Sequence, residues 1–188
     1  SETFFPLDQN HFFRLQPDTA GTEINYAVIP ESFAARERLT YAYQFDDTVL
    51  TGAGLYQVFG GNTLSFMGAK TDKPESSVSA SSYRLGVFTM RVDTIPPTIT
   101  GIVPRDGAQT TSPRPRITAS IEDTLSGIDE IEVRLDGQWL IPVYDPESDR
   151  ISATPHFNLR LGKHRIDIIV RDKIGNEQRY QSAFWMVD

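Results

Sequence analysis

Asp93-Thr94-Ile95-Pro96-Pro97-Thr98-Ile99 separates two stretches that each have the pattern of a complete β domain. Adjacent prolines lack backbone donors, fix φ and restrict the residue before them, so neither a helix nor a central strand runs through this point. The stretch reads as a short, stiff junction between 1–94 and 95–188. A chain of 188 residues is long enough for two domains of ordinary size.

Working outward toward the start, Phe88 to Val92 leads straight into the junction, and the segment 83–92 is broken at Gly86. Residues 64–67 and 55–59 flank Gly60-Gly61-Asn62, whose residues accept positive φ and mark a hairpin. Leu39, Tyr41, Tyr43 and Phe45 alternate with polar or small neighbours, as do Ile24, Tyr26 and Val28, which predicts two half-buried strands. Tyr41 and Tyr43 are expected to pack between sheets. Residues 30–37 are rich in helix formers but span only about two turns, so they predict a helical turn or loop. Residues 70–77 read as a loop, and 11–15 as a short strand stopped by Pro17-Asp18.

Beyond the junction, 99–103 begins a second series. Ile117, Ala119 and Ile121 alternate, then Ile131, Val133 and Leu135, which end at the Asp136-Gly137 hairpin signal. Trp139, Ile141 and Val143 begin the return; Ile151 and 157–161 supply short strands; Gly162-Lys163 turns. Ile166, Ile168 and Val170 alternate before Asp172-Lys173-Ile174-Gly175-Asn176 turns the chain into 180–187. Short strands at this spacing predict an all-β fold of two tandem β-sandwich domains, the second immunoglobulin- or fibronectin-like.

Charge narrows the functional classes. The first half carries 7 basic and 11 acidic side chains and the second 11 and 14, for net charges of −4 and −3. Neither half has the basic surplus that nucleic acid or anionic lipid requires, so no nucleic-acid partner is expected. The absence of cysteine excludes disulfides and thiolate metal sites. No apolar run reaches the length of a transmembrane segment, and no charged start with an apolar stretch forms a signal peptide. Because the chain starts at Ser1, it is expected to be a fragment or mature portion of a longer protein, whose missing N-terminal part would hold any export signal or anchor.

The junction, together with Asp123-Thr124-Leu125-Ser126-Gly127-Ile128, Leu135-Asp136-Gly137, Tyr144-Asp145, Leu161-Gly162-Lys163-His164 and Asp172-Lys173-Ile174-Gly175-Asn176, resembles bacterial immunoglobulin-like surface modules across the whole second half. With Leu85-Gly86-Val87-Phe88-Thr89-Met90-Arg91-Val92 added, the pairing is similar to the C-terminal accessory region of exported lysostaphin-type zinc peptidases, which cut peptidoglycan cross-bridges. Those enzymes hold zinc through His-x-x-x-Asp and His-x-His elements in a separate catalytic domain, and neither element occurs here. The resemblance implies a non-catalytic accessory or spacer module of an exported cell-envelope protein, periplasmic, outer-surface or secreted, positioning a peptidase domain and needing no cofactor of its own. The alternatives are an adhesion module for cell-wall glycan or a surface protein, and a subunit of a surface assembly.

Candidate sites follow from residue chemistry. Asp145, Glu147 and Asp149 space three carboxylates two apart, as at the start of a calcium loop, but the later glycine and glutamate are missing, so an acidic inter-strand loop is the competing reading. Asp123, Asp129 and Asp172 can converge from separate loops at one end of a sandwich. Trp139 and Trp185, with Tyr56 and Phe59, are candidates for an aromatic platform that stacks on sugar rings, although aromatics on strands also fill cores. His11, His156 and His164 lie far apart with no second ligand at zinc spacing.

Overall fold

Most of the alternating apolar and polar stretches among the described residues are realised as strands. The computed structural model describes residues 14–18, 25–29, 34–44, 51–60, 63–72, 77–84 and 86–188. These residues contain no α-helix, and the protein is all-β. The chain divides into two compact units, Ser1–Thr94 and Ile95–Asp188.

The first unit contains β1 (Arg14–Asp18), β2 (Asn25–Ile29), β3 (Ala34–Gln44), β4 (Ala53–Phe59), β5 (Thr63–Gly68), β6 (Lys70–Asp72), β7 (Ser77–Arg84) and β8 (Val87–Val92). One sheet runs β1-β2-β8-β4-β5 and a second runs β3-β7-β6, with every pairing antiparallel. Strands β4 and β5 of the first sheet approach β7 of the second. Leu55 and Tyr56 are buried, and Phe88 joins them from β8. The β4–β5 hairpin pairs Phe59 with Thr63, across the predicted turn. At the break Gly86 has φ of 155°, which side-chain-bearing residues rarely adopt, and a Cβ there would come within 2.8 Å of the Gln57 Nε2 atom.

Three expectations change in this unit. Residues 34–37 belong to β3, which pairs Ala34 with Arg84 and Leu39 with Ser82 around an irregularity. Pairing to β7 thus overrides a helix propensity too weak to stand alone. Residues 70–72 form β6 by pairing with β7, where a loop was expected. Strand β1 passes through Pro17 because it lies at a sheet edge, where a missing donor breaks no ladder on the open side. The side chains of Tyr26, Val28, Tyr41 and Tyr43, and residues 11–13, lie outside the described residues.

The second unit contains β9 (Thr98–Val103), β10 (Gln109–Thr110), β11 (Ile117–Glu122), β12 (Ile128–Leu135), β13 (Gln138–Leu140), β14 (Val143–Asp145), β15 (Arg150–Ala153), β16 (Gly162–Asp172) and β17 (Glu177–Met186). Its sheets run β10-β17-β16-β12-β13 and β14-β15-β11-β9. All pairs are antiparallel except β10 with β17, which align Gln109 with Trp185 in parallel. One core joins both sheets: Ile117, Ala119, Ile121 and Ile151 from one, Val133, Leu135, Ile166, Ile168, Val170 and Phe184 from the other. Each fully buried Ile or Phe side chain contributes about 1.5–3 kcal/mol of transfer free energy.

The β12–β13 hairpin follows the expected Asp136-Gly137 turn. Leu135 pairs with Gln138, and the two turn residues take φ of 51° and 80°, the left-handed pair of a type I′ turn. The return strand differs from its expected pattern. Leu140 is the buried residue, while Trp139, Ile141 and Val143 are exposed. Residues 157–161 form no strand, and Gly162 opens β16 instead of turning.

Candidate functional site

The Asp145-to-Asp149 loop joins β14 to β15. Asp145 accepts a hydrogen bond from the Glu147 N–H (3.1 Å) and another from the Ser148 hydroxyl (2.6 Å). These bonds, the Ser148 one foremost, hold the Asp145 carboxyl below its ordinary pKa. Asp149 has φ of 50°, accepts from the Tyr144 hydroxyl (3.4 Å) and uses its carbonyl to accept the Ile121 N–H (2.8 Å). Burial, then Asp149, raise the Tyr144 pKa. Two of these carboxylates therefore serve the turn itself, as the short Asp side chain does in Asx turns.

Asp123 and Asp172 do come together, with carboxylate oxygens within 4.8 Å of one another, while Asp129 stands apart from that group. Asp123 accepts from the N–H groups of Leu125 (3.1 Å) and Gly127 (2.6 Å). Asp172 is buried and accepts from the N–H groups of Ile174 (2.9 Å), Gly175 (2.7 Å) and Asn176 (2.8 Å), and from the Asn176 side-chain amide (2.7 Å). A Lys173 N–H to Gly127 carbonyl bond ties the two loops (3.0 Å).

The aromatic candidates differ in exposure. Tyr56 is buried, edge-on to Phe66 at 5.4 Å, so it presents no surface ring. Trp139 and Trp185 are 53% and 46% exposed, and both point away from the core, because Leu140 and Phe184 beside them point in. Register runs from Trp139 to Arg134 to Asp167, and from Trp185 to Lys163. The two rings are thus about 14 Å apart across the strands and about 13 Å along them. One sugar ring cannot stack on both.

Among the histidines, His156 is exposed and packs edge-on to Phe157, and His164 is buried beside Phe184. His11 lies outside the described residues.

Alternation also builds a groove that reading the chain linearly missed. On the outer face of β14-β15-β11, Val143, Ser152 and Thr118 form one row, and Asp145, Arg150 and Ser120 form the next. With Arg116 and Ser148 they line a depression of about 420 Å3, excepting Ser120. Arg116 donates to the Ser152 hydroxyl at 3.0 Å. Strand periodicity placed these side chains outward; their adjacency needed the strand order.

No helix among the described residues is long and apolar enough to cross a membrane. No protein-family model and no curated protein matches the chain. Among solved structures it is similar to an endo-β-1,4-mannanase from Thermotoga petrophila, at 13% identity over 51% of this chain and 21% of that one, with a TM-score of 0.43. CopC from Methylosinus trichosporium OB3b aligns at 9% identity over 48% of this chain and 92% of its own, with a TM-score of 0.39. Dimeric latent PorU from Porphyromonas gingivalis aligns at 17% identity over 88% of this chain and 21% of its own, with a TM-score of 0.41. The chain spans about a fifth of the mannanase and of PorU. Likenesses this distant carry no argument about activity or ligand.

Proposed function

We propose that the chain is a pair of tandem β-sandwich domains, the second immunoglobulin-like, serving as a non-catalytic accessory or spacer module of an exported bacterial cell-envelope protein and positioning a peptidoglycan peptidase domain. One observation supports the architectural part above others. With β13 set aside as a short edge strand beside C and β10 as a short parallel addition beside G, the second unit's remaining strands, labelled A to G in chain order, fall into an A-B-E-D sheet and a C-F-G sheet. That grouping is the one an immunoglobulin sandwich has, and it supports the reading. The envelope role comes from the sequence resemblance. Purified chain is expected to leave peptidoglycan intact with or without added zinc; clear hydrolysis would overturn the reading.

The exposure of Trp139 and Trp185 favours a second reading, an adhesion module for glycan or protein. Retention on cell-wall polysaccharide that disappears in both Trp139→Ala and Trp185→Ala would favour it over the spacer. No retention on any polysaccharide or surface-protein panel would count against it.

A further inference from the structure

We propose that the groove on the outer face of β14-β15-β11 binds a carboxylate-bearing saccharide. Its volume, about 420 Å3, lies within the range of small-molecule sites, about 300–1,000 Å3. Arg116 and Arg150 form no ion pair among the described residues, whereas Arg134, Arg165 and Arg171 on the other sheet hold Glu132, Asp167, and Glu130 with Glu177. Two planar guanidinium groups without a carboxylate partner, set in a concavity, match a planar anion that accepts paired hydrogen bonds.

The remaining lining decides the kind of anion. Asp145 shares the groove, so two positive charges face one negative charge, which suits a singly charged carboxylate better than a dianionic phosphate. Asp145 accepts hydrogen bonds and donates none, and it has capacity beyond the two bonds from its own turn. It therefore favours a ligand with hydroxyl donors. Thr118, Ser148 and Ser152 add hydroxyls that both donate and accept, and Val143 offers an apolar edge to a pyranose C–H face. An acidic sugar unites carboxylate, hydroxyls and an apolar ring face in one residue.

Binding here is independent of the spacer role proposed above, so a null titration removes the site and leaves that role standing. The test is an NMR titration of the full chain with methyl galacturonide, a single sugar with one carboxylate, with maltotriose and inorganic phosphate as comparison probes. The galacturonide is expected to shift the amides of Thr118, Ser148, Arg150 and Ser152. Arg116→Gln and Arg150→Gln are each expected to weaken binding about tenfold while preserving spectral dispersion, the weight of one charge-assisted hydrogen bond. Absence of shifts, equal shifts with maltotriose or phosphate, or unchanged affinity in both variants would overturn the proposal.

Discussion

His164 Nδ1 lies 2.6 Å from Asp136 Oδ2, and Nε2 of the same ring lies 2.7 Å from the Arg160 carbonyl oxygen. Both partners only accept, so the ring satisfies them together only as the imidazolium, donating from both nitrogens. Asp136 also accepts the Arg165 N–H at 2.8 Å through its other oxygen. A hairpin turn is thereby clamped to the start of the longest strand in the unit.

Burial of His164 works against its charge, but the bonds to Asp136 and to the Arg160 carbonyl, with the Asp136 charge, outweigh it and raise the pKa above the ordinary 6.5. A pKa higher in the folded than in the unfolded chain means stability contributed in full below about pH 6.5 and lost as pH rises through the folded value. Asp136→Asn tolerates the same φ of 51° but removes the charge. It is expected to lower the His164 pKa by NMR titration and to flatten this part of the pH dependence of thermal stability between about pH 5 and 9. An unchanged His164 titration in the variant would show that the clamp does not set its charge.

Gly137 is held at φ of 80° with open space where a Cβ would stand, so Gly137→Ala tests backbone strain without a clash. The expected cost is about 1–2 kcal/mol by urea unfolding. Gly60 also has open space and lacks a positive φ, and Gly60→Ala is expected to be near neutral.

Asp172 collects four hydrogen bonds and is 1% exposed. Asp172→Ala removes the acceptor shared by three half-buried or exposed turn amides and is expected to cost about 1–3 kcal/mol, with hydrogen-exchange protection lost first at residues 174–176. Full retention of protection there would contradict the turn's dependence on this carboxylate.

Ser182 is buried, and its hydroxyl has no hydrogen-bond partner among the described residues. Ser182→Ala is expected to be neutral or stabilising by up to about 1 kcal/mol, because the penalty of burying an unmatched hydroxyl disappears. Phe184→Ala, two residues on in the same inward row, is expected to cost about 3–5 kcal/mol. Calorimetry of both variants measures the contrast.

Local signals survived folding where their cause was local. Asp136-Gly137 turns the chain as its residues dictate, since positive φ is a property of those two positions. Ile117, Ala119 and Ile121 face inward because a period of two needs no knowledge of partners. Residues 34–37 and 70–72 misled because strand status there comes from pairing with β7, at Arg84 and at Ser77 to Ser79.

By itself the sequence determined the all-β class, the inward rows and the tight turns, all of which follow from side-chain alternation and backbone conformational preference. Only tertiary structure decided that Trp139 and Trp185 stand too far apart to share one sugar ring, that Gln109 pairs in parallel with Trp185, and that Arg116 meets Arg150 in one groove. Each depends on which strands become neighbours and in what register. That is settled by burying the Ile117-to-Phe184 core between two sheets, and by no short stretch alone.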